Sequence, residues 1–424
     1  MSREGRQRHG WIEIEDAKVF VCSHCIKEPF LNAHKIETLI QPRVCIGCGL
    51  EVKHGFDVSY LATRCREKLP DYFEFDHGLY PGYELTLRDL LERALHCEVS
   101  AVLDKLLGLL EVDDDVNSVD GEEAPRDFFA RGEEYQIVPS PFNDEEHERW
   151  YALGHWHRVA KTVAHGRRFF NRHVDRLFDG LVAEALSAYD FSDRESRPAI
   201  RKLPADFEFF RARIAHTFDE QKVFCKDPLT YLGPPPKEKA ASGRMSAAGI
   251  PSLYLSGDPK TCVAEVRPSI GDDVVVGRFR STRELTLFDL TAFSRGVDYP
   301  ALSFFDPSHS DRETYRSLLT HLHVELGRPM KAHDTDYLMT QGLAEFIRFY
   351  GGGLFDGIAF QSVQNVEGVN FTLFDSSTED DREHIDWTPK FDVQIDVSDV
   401  KVVEVRALSY TINPEYPFES ESQK

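Results

Sequence analysis

Positive charge is what this chain of 424 residues has too little of: 50 Lys and Arg stand against 72 Asp and Glu, a formal net charge of −22. Such a surface repels phosphate backbones overall, so nucleic acid is not expected as a general partner, although a local basic patch is compatible with it. No run of 18 apolar residues occurs, so no membrane-spanning helix is expected. Residues 1–16 hold no apolar core of the kind a secretory leader needs. Cysteine is sparse, with eight residues, which without a leader favours a reduced cytoplasm and free or metal-bound thiols over a disulfide framework. Internal repeats are missing. No GxGxxG follows a strand-like segment, so hydride chemistry on a Rossmann fold is unsupported.

What is present is ordinary globular material: 41% hydrophobic, 12% aromatic and 29% charged. At about 150 residues per domain the length predicts two or three domains. A cysteine-bearing part runs from about Trp11 to Cys65. Helical spacing follows over Thr86–Leu110, with Leu87, Leu90, Leu91, Ala94, Val102 and Leu106 on one stripe. The stretch Glu111–Pro125 has no Lys or Arg and reads as a solvated acidic loop. A second helical region starts near Asn143, with Glu146 as capping-box partner, and runs to about Tyr189 as two helices broken near Gly166. Its apolar stripe is Leu153, Ala160, Val163, Val174, Leu177, Phe178 and Leu181.

Beyond Arg197-Pro198 the pattern changes to strands, at Phe207–Ile214, Leu253–Leu255, Val274–Phe279, Leu285–Leu290, Gly357–Phe360, Phe371–Phe374 and Val402–Val405. Helical patterns intervene near Asp311–Gly327 and Asp336–Tyr350. Short strands with few helices predict an α+β domain. The expected organisation is a zinc-knuckle segment at 1–70, a mostly α-helical region at 71–195 and an α+β domain at 196–424, with the boundary near 190–205.

Cys22-Ser-His-Cys25 and Cys45-Ile-Gly-Cys48 form two CxxC knuckles separated by 19 residues. Each knuckle supplies two thiolates, and four complete a tetrahedron around Zn2+. With every position a cysteine, no coordination site is left open, so the metal is expected to be structural. His24 and His34 are read as bystanders. In the helical region Arg168 to His173 fits Arg-x4-His and Arg158 to His165 fits Arg-x6-His. These spacings resemble those of HEPN-type ribonucleases, where His moves a proton and Arg holds a phosphate. Phe169 stands where active members carry a polar residue, so helix-face charge or an assembly surface is the preferred reading.

The C-terminal part carries an ordered constellation: Phe209-Phe210-Arg211-Ala-Arg213, Arg244-Met-Ser-Ala-Ala-Gly249, Tyr254, Asp258-Pro259-Lys-Thr261, Glu265, Tyr337 to Gln341, Asp356 to Ser362 and Asn370 to Phe374. In that order and spacing it resembles the RES domain, over about residues 200–410. The helical part ahead of it resembles the HEPN-like domain sometimes fused before RES domains.

The resemblance implies an ADP-ribosyltransferase-like fold and an enzyme that breaks the nicotinamide–ribose bond of NAD. Phosphorolysis or hydrolysis, in a bacterial toxin or anti-phage defence effector, is the expected activity. Protein ADP-ribosyltransfer, and a zinc-containing HEPN-type ribonuclease or RNA-binding protein, are the alternatives. It implies catalytic roles for Glu265, Ser362 and Arg211, with Arg213 as the alternative to Arg211. Cofactor-binding roles fall to Arg244, Tyr254, Arg211, Ser362, Asn370 and Gln341. Inorganic phosphate, an antitoxin or regulatory partner and a second copy of the chain are further expected partners. The residue types suit the chemistry: arginine forks bind pyrophosphate, and a carboxylate stabilises the positive charge that builds on ribose. His333, with Lys331 and Asp334, reads as loop.

Overall fold

A computed structural model describes residues 18–76, 85–113, 126–138, 145–327, 337–383 and 386–408. Trp11, most of the acidic stretch, the Asn143 cap and the group around His333 lie outside them. The chain forms two compact units, residues 1–145 with 301–311, and residues 146–300 with 312–424.

In the first unit β1 (Phe20–Cys22), β2 (Glu37–Val44) and β3 (Glu51–Asp57) make an antiparallel sheet in the order β1-β3-β2, with α1 (Pro29–His34) between β1 and β2. There follow α2 (Val58–Lys68), β4 (Phe73–Phe75), β5 (Leu85–Thr86), α3 (Leu87–Leu95), α4 (Ser100–Leu110) and β6 (Glu134–Ile137), and the three strands pair as β4-β6-β5. This second small sheet was not expected in a region read as helical. Its strands are too short to show a period of two.

The single expected stretch Thr86–Leu110 is two helices. Thr86 opens α3 with a capping box to Asp89, and His96 closes it in the left-handed region at φ 48. Leu87, Leu90, Leu91, Ala94, Val102 and Leu106 are all buried, as their spacing predicted. Each large side chain buried in this way contributes roughly 1.5–3 kcal/mol.

The second unit starts with α5 (Glu145–His165) and α6 (Arg172–Ser187), separated at Gly166 as expected. Then come β7 (Ile200–Leu203), β8 (Glu208–Ala215), α7 (Phe218–Lys226), α8 (Pro228–Leu232), β9 (Ser252–Ser256), α9 (Pro259–Glu265), β10 (Asp273–Ser281), β11 (Leu285–Asp289) and α10 (Thr291–Ser294). They are followed by α11 (His309–Gly327), α12 (Leu338–Phe349), β12 (Gly357–Gln361), β13 (Val369–Phe374), β14 (Val393–Gln394) and β15 (Val400–Glu404). All seven expected strands are present, and β7 and β14 are additional. The nine strands form one sheet in the order β14-β10-β8-β9-β13-β12-β11-β7, with β15 also on β10, and only the β11–β12 pair is parallel.

The pleat sorts the core. Phe288, Ile358 and Phe360 face a layer built from α5, α6, α11 and α12, including Trp156, Phe178, Leu181, Leu318 and Leu343. Leu285, Leu287, Ala359, Phe371 and Leu373 face the opposite layer with Phe209, Leu253 and Leu255. The expected boundary near 190–205 is therefore not where the compact units divide. The stripe on α5 and α6 buries itself on this sheet, and Glu184 of α6 accepts from Nε of Arg312 and of Arg316 on α11. These helices belong with the sheet.

Candidate functional site

Strand β8 meets β9 at a single pair, Phe210 with Ser256. Beyond it the two strands part, and a cleft of about 480 Å3 opens. Its lining includes Arg211, Arg213, Gly243, Arg244, Tyr254, Ser256, Cys262, Glu265 and Asn370. Phe210, Ser256, Asn370 and Phe360 are successive cross-strand partners, so they stand in one row on one face of the sheet.

Glu265 is the last residue of α9. Asp258 caps this helix, its carboxylate accepting from Thr261 N–H at 2.9 Å and from Thr261 Oγ1 at 2.5 Å. Glu265 Oε1 takes two hydrogen bonds, from Ser362 Oγ at 2.7 Å and from Asn370 Nδ2 at 2.6 Å. No hydrogen bond to Oε2 is made among the described residues. Both donors are themselves oriented. Ser256 Oγ donates to Asn370 Oδ1 at 2.7 Å, which turns the amide nitrogen toward Glu265. The Asn365 N–H donates to Ser362 Oγ at 3.1 Å, and Asn365 Nδ2 donates to Thr261 Oγ1 at 2.7 Å. The network runs unbroken from Asp258 to Ser256. Ser362 uses its proton on Glu265, so it positions the carboxylate rather than offering a spare donor.

Tyr254 brings its hydroxyl to the loop before it. The OH accepts from Met245 N–H at 2.8 Å and lies 3.2 Å from Ser246 Oγ, and burial pushes its pKa up. Gly243 has no side chain because a Cβ there would sit 2.7 Å from that hydroxyl. The same loop is gripped from α12. Gln341 Nε2 donates to Gly243 O at 2.8 Å, Ser242 Oγ at 2.8 Å and Ser246 O at 3.2 Å, and Thr340 Oγ1 donates to Arg244 O at 2.5 Å. Gln341 therefore holds the backbone around Arg244 and does not line the cleft.

Arg211 lines the cleft from a different direction and is tied to the backbone. The pleat gives it the face of Phe209, opposite Asn370, and its Nη1 donates to Gly233 O at 2.9 Å. Burial draws its pKa down to about 10, with repulsion from Arg213 adding to the effect. The residues that the sequence reading did not single out are Ser256 and Asn365. Asp258-Pro259-Lys-Thr261 is a helix-start signature, and reading it as one would have placed Glu265 at a helix end.

In the first unit the four knuckle thiols converge, with all four Sγ atoms within 4.8 Å of one another. Cys22 and Cys48 are 3.7 Å apart, and Cys25 and Cys45 are 3.8 Å apart. Four sulfurs at about 2.3 Å from a tetrahedral metal ion stand about 3.8 Å from each other, so the set fits such an ion. Burial pushes the Cys22 and Cys25 thiols up, whereas at Cys45 burial is outweighed by the N–H groups of Cys48, Cys22 and Gly47, which bring it down to about 7. Neither His24 nor His34 is in the set; His34 Nδ1 pairs with Phe30 O at 3.0 Å. Among the described residues no helix is long and apolar enough to cross a membrane.

Compared with known protein families, residues 208–396 match the RES domain. No curated protein and no solved structure matches the chain.

Proposed function

We propose, from the match of residues 208–396 to the RES domain, that the protein is an NAD-degrading enzyme that cleaves the nicotinamide–ribose bond, acting as a toxin or defence effector. The observation that carries this reading is Glu265, whose Oε1 is fixed by two donors while Oε2 is left to the cleft.

The chemistry follows from charge. The bonding pair of the C1′–N bond returns to the pyridinium nitrogen, so nicotinamide leaves neutral and needs no proton. Positive charge moves to the ribose as an oxocarbenium-like state. The Glu265 carboxylate opposes that charge across a short distance in a partly desolvated cleft, where such an interaction is stronger than in water. Arg213 and Arg244 supply guanidinium groups for the pyrophosphate. The Tyr254 ring, held by its hydroxyl, offers a flat face to the nicotinamide. Water or inorganic phosphate then bonds to C1′, and the proton lost by that nucleophile leaves to solvent. Arg211 shares Arg213's face of β8 and also lines the cleft, so the part of its guanidinium not tied to Gly233 O adds to that positive charge. The four cysteines hold zinc in a structural role, since all four positions are filled by thiolates. Restraint in a healthy cell falls to an antitoxin-like partner or to self-assembly.

The test is nicotinamide release from NAD by purified protein, with and without inorganic phosphate, beside Glu265→Ala. Release that needs phosphate means phosphorolysis, and release without it means hydrolysis. Label retained on a protein target would replace both by ADP-ribosyltransfer. Full activity in a folded Glu265→Ala protein overturns the mechanism.

A further inference from the structure

The turn between α5 and α6 is a second chemical feature of this unit, and the cleft makes no use of it. Residues 161–176 hold five cations, Lys161, Arg167, Arg168, Arg172 and Arg176, against one acid, Asp175, in a chain whose net charge is −22. All five are exposed, and none makes an ion pair among the described residues. Among them stand two aromatic rings turned to solvent: Phe169 is 74% and Phe170 is 86% exposed. Helical spacing places Lys161 with His165 on one face of the last turn of α5, and Arg172 with Arg176 on one face of the first turns of α6.

The display is built. Buried Asn171 caps α6, its Oδ1 accepting from His173 N–H at 3.1 Å, while its Nδ2 donates to Arg167 O at 2.9 Å. That double hold closes the turn without help from either ring. Phe170 sits at φ 53, in the left-handed region that a bulky side chain avoids. Arg172 occupies the first position of α6, at the positive end of the helix dipole, where a cation is unfavourable. These features each cost folding stability and give the fold nothing visible in return. An anionic ligand would offset the charge at the helix end, and bases stacked on the rings would cover the exposed Phe faces.

We propose that this turn binds single-stranded nucleic acid, with bases stacked on Phe169 and Phe170 and phosphates held by the surrounding guanidinium groups. Cationic contacts that track a backbone, interleaved with aromatic faces for the bases, are what such recognition requires. Phe and Arg are also enriched at protein interfaces; what favours nucleic acid is the run of five cations against one acid flanking both rings, and the test below separates the two. The overall negative charge does not forbid the contact. Exposed charges more than about 10 Å away are largely screened at 0.1 M salt. The ligand is therefore a short strand, not a long duplex that would lie across the acidic remainder.

Fluorescence anisotropy of full-length protein with labelled 12-nucleotide oligothymidylate and oligouridylate tests this, and the two arms separate DNA from RNA. Four neutralised phosphates predict a slope near −3 in log affinity against log salt, or about 50-fold weaker binding at 200 mM than at 50 mM. Phe169→Ala/Phe170→Ala, with an unchanged circular dichroism melt, should weaken binding at least tenfold, and Arg168→Ala should reduce the slope by about one. Three results overturn the proposal: no binding at 50 mM salt, binding indifferent to the double Phe variant, or displacement by polyglutamate at equal charge concentration, which would assign the patch to an acidic protein. Tighter Phe-dependent binding to phosphatidylserine vesicles than to either oligomer also overturns it.

Discussion

Glu265 shows how a carboxylate is aimed by its neighbours. With Ser362 and Asn370 both on Oε1, the side chain cannot rotate without losing two hydrogen bonds. Replacing charge while keeping shape isolates its electrostatic part. Glu265→Gln is expected to leave the melting temperature within a few degrees and to lower kcat for nicotinamide release by about 10²–10³, the range seen when one electrostatic partner of a transition state is removed. Ser256 acts one step further out. In Ser256→Ala the Asn370 amide loses the partner that sets its orientation, and its oxygen can turn toward Glu265. The expected outcome is a fall in kcat of up to about 10² with KM little changed, since misplacement by 1 Å costs about that much. A change confined to KM would mean that Ser256 touches substrate instead.

Among elements, the grip of α12 on the 242–246 loop has its own consequence. Gln341 reaches three acceptors on that loop, so Gln341→Ala should loosen the backbone carrying Arg244 and raise KM for NAD more than it lowers kcat. Steady-state kinetics reads that split directly. The end of β13 carries a stability device. Asp375 is buried; burial opposes its charge, but Ser377, Lys390 N–H and Arg348 together hold its pKa below the usual carboxylate range. A carboxyl with a depressed folded pKa contributes its stability above its unfolded value of about 3.9, and that contribution is lost as pH falls through the lower folded value. Urea midpoints of the wild type should therefore drop below about pH 4. Asp375→Asn should be less stable at neutral pH and show a flatter acid limb.

For the whole molecule, the metal cluster and the cleft belong to different compact units. Cys22, Cys25 and Cys45 are part of the same buried cluster as Val21, Ile26, Leu31 and Phe56, so a bound ion ties the first unit's core together. Binding of a structural zinc is worth roughly 10–16 kcal/mol in small modules, far more than a domain's net stability. The purified protein should carry about one zinc per chain by elemental analysis. Cys25→Ser, or prolonged chelation, should expose the first unit to limited proteolysis, with new cuts concentrated before residue 145. An unchanged cleavage pattern in a metal-free protein would show that the thiol cluster is not what holds that core.

Much of this was readable from order along the chain. The cysteine knuckles, the seven strands and the α5–α6 break depend on local spacing, and local spacing is what a sequence displays. The RES resemblance rested on the succession Arg211, Arg244, Tyr254, Glu265, Ser362 and Asn370; Glu265, Ser362 and Asn370 meet in one hydrogen-bond network, and Arg211, Arg244 and Tyr254 line the cleft beside it. Three things needed the folded chain. Arg211 and Asn370 are set on opposite faces of one sheet by the pleat, which depends on register and not on residue type. Gln341 was drawn away from the cleft by three acceptors that come together only when α12 packs on a distant loop. The helices of 145–187 joined the sheet rather than the cysteine module because an apolar stripe says that a face will be buried, and only tertiary packing decides against what.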